Sequence, residues 1–178
     1  MVMAMLEAGG LPIVTDGVRR ADASNPNGYF EFEKVKALGQ HGDTSWLADA
    51  RGKAIKIVSF LLTYLPESHD YQVVFVHRDL HEVIASQHRM LDARGEPRGA
   101  DDERTYALYA EHLKQIAMFL SRRRCFSTLS VDYAAIQADP DGQARRVNGF
   151  VGGGLDTGRM AGIVDPGLHR QRHRPATS

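Results

Sequence analysis

Two side chains in this sequence are spaced so that they could grip one anion: Arg78, in the run His77-Arg78-Asp79, and Ser86. Helix geometry puts Asp79 and Ser86, seven residues apart, on one face about two turns from each other. A guanidinium reaching along that face and a hydroxyl could hold a phosphate between them. Because Asp79 itself serves as the helix cap, such a phosphate would lie beside the helix and not on its axis. Spacing alone leaves this reading level with a plain surface arginine and an unrelated helix serine. Two other charged residues stand out by position. Lys56 sits among strand apolars in Ala54 to Ser59 (AIKIVS), where it either points to solvent or faces an anionic site. Glu31 lies in NPNGYFEFE, from Asn25 to Glu33, and the plainest account makes it a favourable acid in a helix first turn.

Other chemistries find no support. The eight histidines form no H-E-x-x-H, and His77 and His81 straddle a strand-helix junction, so no metal site is expected. No G-x-S-x-G elbow occurs. The only Gly-Lys dipeptide, Gly52-Lys53, has Leu47 where a phosphate loop needs glycine, and Gly152 to Gly154 follow a helix instead of a strand.

The segment that must position Arg78 is Tyr71 to Leu91. Gln72 to Val76 is a short buried strand. Asp79 followed by Glu82 is a capping-box pattern, and Leu80, Val83, Ile84 and Leu91 recur at helical spacing up to a stop near Gly95. In open α/β sheets anions collect where strands end and helices begin. Before this unit, Met1 to Ala8 reads as the second half of a helix closed by Gly9-Gly10, and Tyr29 to Leu38 as an amphipathic stretch. Ser45 to Ala50 is a short helix and Ala54 to Ser59 a buried strand. After it, Asp101 to Arg124 is the longest helix, with Tyr106, Tyr109, Leu113, Ile116, Ala117 and Leu120 as its apolar stripe. Phe126 to Val131 is a third strand, and Asp139-Pro140 opens a helix that ends at the three glycines. Strands alternating with helices predict an α/β fold with a parallel sheet and right-handed crossovers.

At 178 residues, 43% hydrophobic and 25% charged, the chain suits one soluble domain, taken as residues 1–168, with a basic tail at 169–178 for which disorder is the default. Its 22 basic and 22 acidic residues cancel, so charge supplies no argument for nucleic acid or a membrane surface as a partner. The longest apolar stretch, Ile57 to Leu65, is too short to span a bilayer. One cysteine, Cys125, excludes an internal disulfide and suits a reducing cytoplasm, and no signal peptide is recognisable. Nothing in the sequence speaks to the oligomeric state.

The run Phe75 to Ser86 (FVHRDLHEVIAS) resembles the R-D-x-x-x-V-x-x-S segment of sulfotransferases. NPNGYFEFE is similar to the N-P-x-G-Y-[WFY]-E segment of bacterial sulfotransferase-like proteins, and Phe150 to Pro166 to their C-terminal region. The resemblance implies a three-layer parallel sheet of the P-loop NTPase and sulfotransferase type. It also implies transfer of a sulfuryl group from 3′-phosphoadenosine 5′-phosphosulfate to a hydroxyl or amine, without a metal. By the same resemblance Arg78 and Ser86 hold the 3′-phosphate and Glu31, in the segment near the acceptor, is the candidate general base; Lys56 could then stabilise charge developing on the bridging oxygen. The chain departs from the family in beginning after the place of its central first strand and its P-R-S-G-T-[ST] loop. The expectation is therefore an N-terminally truncated fold, through a start assigned too late, which is the favoured account, or through a fragment or a degenerate relative, with little turnover by these residues alone; a non-catalytic nucleotide-binding or interaction protein is the alternative.

Overall fold

The computed structural model describes residues 1–18, 28–40, 42–97 and 101–165. Helix α1 (Val2–Ala8) leads to strand β1 (Ile13–Val14), followed by the short helices α2 (Glu33–Lys36) and α3 (Trp46–Asp49) and by strand β2 (Ala54–Ile55). Strand β3 (Tyr71–His77), α4 (Leu80–Arg94), α5 (Asp102–Arg122) and strand β4 (Phe126–Asp132) form the middle of the chain. Helices α6 (Tyr133–Ala138), α7 (Pro140–Phe150) and α8 (Thr157–Gly162) close it. The expected tail lies outside the described residues, as does the Asn25-Pro26-Asn27 turn.

All the strand pairing is parallel. Strand β1 pairs with β2, and β3 pairs with β4 in a register that runs from Tyr71 opposite Phe126 to His77 opposite Asp132. Successive side chains on a strand point to opposite faces, and here they enter two different apolar clusters. Tyr71, Val73, Phe75 and Phe126 pack with Trp46, Leu62, Ile116 and Leu120 on one side. Val74, Leu129 and Val131 pack with Met5, Ile136, Val147 and Met160 on the other. The short ladder follows the same rule, since Ile13 and Ala54 join the second cluster and Ile55 the first. Both ladders therefore lie between the same two helical faces, which is the mixed α/β arrangement the alternating pattern predicts. Among the described residues they remain two separate two-stranded sheets instead of one continuous sheet.

Aspartates set most of the helix starts. Asp79 accepts from the Glu82 N–H, Asp101 from the Arg104 N–H, and Asp139 from the Gly142 N–H, with Pro140 at the first helical position. Gly95 ends α4 in the left-handed conformation at φ 66, which glycine adopts without a Cβ clash. Two expectations that bear on Lys56 and Glu31 change. The strand expected over Ala54 to Ser59 stops at Ile55, where its pairing with the two-residue β1 ends, and a 3-10 helix follows at Ser59–Tyr64, so Lys56 lies just beyond the strand and not in its middle. The helix expected near Tyr29 to Leu38 begins only at Glu33, leaving Glu31 outside its first turn. Ala117, expected on the buried stripe of α5, is exposed, and α6 went unrecognised.

Candidate functional site

Glu31 and Lys56 come from distant parts of the sequence and meet just past the C-terminal end of β2. Lys56 Nζ donates a 2.7 Å hydrogen bond to the Tyr29 carbonyl and lies 3.6 Å from Glu31 Oε1, and the Glu31 side chain is only 22% exposed. The backbone explains why Glu31 faces inward. Phe30 takes φ 50, a left-handed conformation that costs a non-glycine residue on the order of 1–3 kcal/mol. A clamp on its C-terminal side offsets that cost. Thr15 Oγ1 and the Asp16 N–H both donate to the Glu31 carbonyl, at 2.9 and 3.2 Å, while the Glu33 N–H donates to Asp16 Oδ2 at 2.6 Å. That last bond, followed by one from the Val18 N–H, holds the Asp16 carboxyl below its usual range. Nothing local in the sequence marks Thr15 and Asp16 as the support of Glu31. The result is a proton acceptor and a cation within one contact of each other, at a place where a reacting hydroxyl could meet both.

Arg78 occupies the equivalent position past the end of β3. Its Nε donates to Glu82 Oε2 at 3.2 Å, and its guanidinium lies 4.8 Å from the centre of the Tyr133 ring. The side chains of Arg78 and Glu82 are 26% and 10% exposed, so the pair is well shielded from water. The guanidinium thus turns toward Glu82, one turn into α4, instead of extending to Ser86. Ser86 is half-buried a further turn along, without a hydrogen-bond partner among the described residues. Glu82 and Ser86 stand at i, i+4 on one helix face, which sets a carboxylate between the two presumed phosphate ligands. A phosphate here would use the terminal Nη nitrogens of Arg78, which have no hydrogen-bond partner among the described residues, and would leave Nε to Glu82. The i, i+4 spacing of Arg78 and Glu82 is visible in the sequence; Tyr133 has no local signal and arrives only through strand pairing.

Beyond these clusters, Ser59 Oγ and His112 Nε2 lie 2.9 Å apart and the Phe60 ring stacks on the imidazole at 3.6 Å. Burial pushes the His112 pKa below its ordinary 6.5. As pH falls through 6.5 the unfolded chain binds this proton before the folded one, so the contribution is complete above that value and declines toward the lowered folded pKa. The urea midpoint should therefore drop between about pH 7.5 and 5.5, and His112→Asn should flatten the profile. An equal slope in the variant would assign the effect to other groups. Among the described residues no group of three or more histidines, cysteines or carboxylates is placed to hold a metal ion, and no helix is long and apolar enough to cross a membrane.

Residues 22–156, which include both clusters, match a family model described as the sulfotransferase family. Comparisons with curated proteins and with solved structures give no match.

Proposed function

The chain belongs to the sulfotransferase family, and from that premise we propose that its two clusters are the donor and acceptor sides of a sulfuryl-transfer site using 3′-phosphoadenosine 5′-phosphosulfate. The acceptor, a hydroxyl or amine, attacks sulfur and the bond from sulfur to the 5′-phosphate oxygen breaks, leaving adenosine 3′,5′-bisphosphate. Glu31 takes the acceptor proton. Lys56 stabilises the negative charge that grows on the bridging oxygen. Arg78 and Ser86 hold the 3′-phosphate, the arginine through its Nη edge. The observation that carries this reading is the 3.6 Å approach of Glu31 to Lys56, two residues of unlike charge brought together past a parallel strand, where such folds bind ligands.

The finer architecture is part of the same proposal. Both ladders lie between the same two apolar clusters, so a further parallel strand between them would complete a three-layer sheet. By family resemblance the loop after that strand would hold the 5′-phosphosulfate. These 178 residues include no phosphate loop of that kind, so the turnover they support by themselves is expected to be slight. That, with Glu82 set between Arg78 and Ser86, favours a second reading in which the chain binds nucleotide without transferring sulfuryl groups. Brisk sulfuryl transfer by these residues would dismiss it.

Calorimetry with adenosine 3′,5′-bisphosphate and with adenosine 5′-monophosphate tests the donor site. The bisphosphate should bind more tightly, and Arg78→Lys, which keeps a charge but loses the fork, should erase about tenfold or more of that preference. Equal affinity for the two nucleotides in the unsubstituted protein, or a preference unchanged in Arg78→Lys, would remove Arg78 from the site.

A further inference from the structure

We infer that Tyr133 is a positioning residue for the Arg78 guanidinium, an inference that rests on the reading of Arg78 as the 3′-phosphate ligand. The placement follows from strand register. His77 is opposite Asp132 at the end of the β3–β4 ladder, so the next residues of each strand, Arg78 and Tyr133, leave the sheet side by side. Asp132 then fixes the turn out of β4, because its carboxylate accepts from the N–H groups of Ala134 and Ala135 at 2.7 and 3.0 Å. The ring that results lies 4.8 Å from the guanidinium carbon.

The two neighbours of Arg78 constrain different freedoms. Glu82 takes Nε, which sets the direction of the guanidinium along α4. Tyr133 places its ring 4.8 Å from the guanidinium carbon, a contact that limits how far the group can swing away from the strand end. Among the described residues nothing bonds to the Nη edge, the part of an arginine that meets a phosphate with two parallel N–H groups. An unconstrained arginine loses rotamer freedom when it binds, whereas this one is ordered before the ligand arrives. Glu82 also lowers the local positive potential, so removing it would mix a gain in attraction with a loss of order. Tyr133 carries no formal charge and isolates the positioning effect.

The test titrates adenosine 3′,5′-bisphosphate and adenosine 5′-monophosphate into Tyr133→Leu and Tyr133→Phe. Leucine should weaken the bisphosphate roughly 5- to 10-fold and leave the monophosphate unchanged, while phenylalanine, which keeps the ring, should stay within about twofold of the unsubstituted protein. In an Arg78→Ala/Glu82→Ala background Tyr133→Leu should have no further effect. Equal weakening of both nucleotides, a loss in phenylalanine as large as in leucine, or an undiminished loss in that background would overturn the inference. A second readout needs no nucleotide: the Arg78 Nε–H proton, followed by NMR, should exchange several-fold faster in Tyr133→Leu and at the original rate in Tyr133→Phe. If the bisphosphate does not bind at all, the 3′-phosphate reading fails, and with it Tyr133's place in a nucleotide site. An exchange rate unmoved in Tyr133→Leu would show separately that the ring does not hold the guanidinium.

Discussion

Arg78→Ala should lower the unfolding free energy by roughly 2 kcal/mol, before any nucleotide is considered. The estimate comes from burial. An exposed ion pair contributes about 0–1 kcal/mol, and breaking a fully buried one from one side costs about 3–5 kcal/mol. With Arg78 26% and Glu82 10% exposed, this pair falls between the two cases, and the carboxylate is the more shielded partner. Removing the arginine leaves that carboxylate without the guanidinium that offsets its desolvation. Neutralising it as well, in Arg78→Ala/Glu82→Gln, should restore at least half of the loss. Urea unfolding of the three proteins decides the matter: a single variant that loses less than about 0.5 kcal/mol would mean that water screens the pair. The point bears on every binding experiment at this site, because nucleotide affinities of the alanine variant are meaningful only at a temperature where it is folded.

Ile136→Ala should be costlier still, at about 2–5 kcal/mol. Ile136 is 0% exposed and joins Val131, Val147 and Met160 in the cluster beneath β4. Truncation there loses the transfer free energy of three carbons and leaves a cavity that tightly packed neighbours fill only in part. Since a whole domain is stable by only about 5–15 kcal/mol, the variant should sit near the edge of folding. Leu108→Ala is the matched control: Leu108 is 62% exposed on α5, and its truncation should change stability by no more than about 0.5 kcal/mol. Similar urea midpoints for the two variants would contradict the core assignment. Because β4 ends at Asp132 and leads directly into Tyr133 at the start of α6, loosening this cluster should also blunt the preference for a 3′-phosphorylated nucleotide.

What the sequence by itself determined lies within a few residues of each signal. The capping pattern of Asp79 and Glu82 and the glycine at 95 place α4 correctly, because a cap is a bond between near neighbours. The continuous run of β-favouring residues at Gln72 to Val76 places β3, although the strand extends one residue further at each end and none of its residues is fully buried. The motif around Arg78 and the NPNGYFEFE segment were enough to indicate the family. Tertiary structure decided the rest. Ala54 to Ser59 has the composition of a strand but ladders only over two residues, since β1 offers a partner no longer than that. Glu31 lies in a stretch with helical periodicity, yet bonds from Thr15, Asp16 and Lys56 pull that stretch into a left-handed turn and start the helix later. The meeting of Glu31 with Lys56 and of Arg78 with Tyr133 is set by how strands align and helices pack, and neither pair is close enough in the sequence for spacing to reveal it. Periodicity and caps report on local bonding; a site assembled across strand ends depends on which strands become neighbours, and that is decided only when the two apolar clusters close around them.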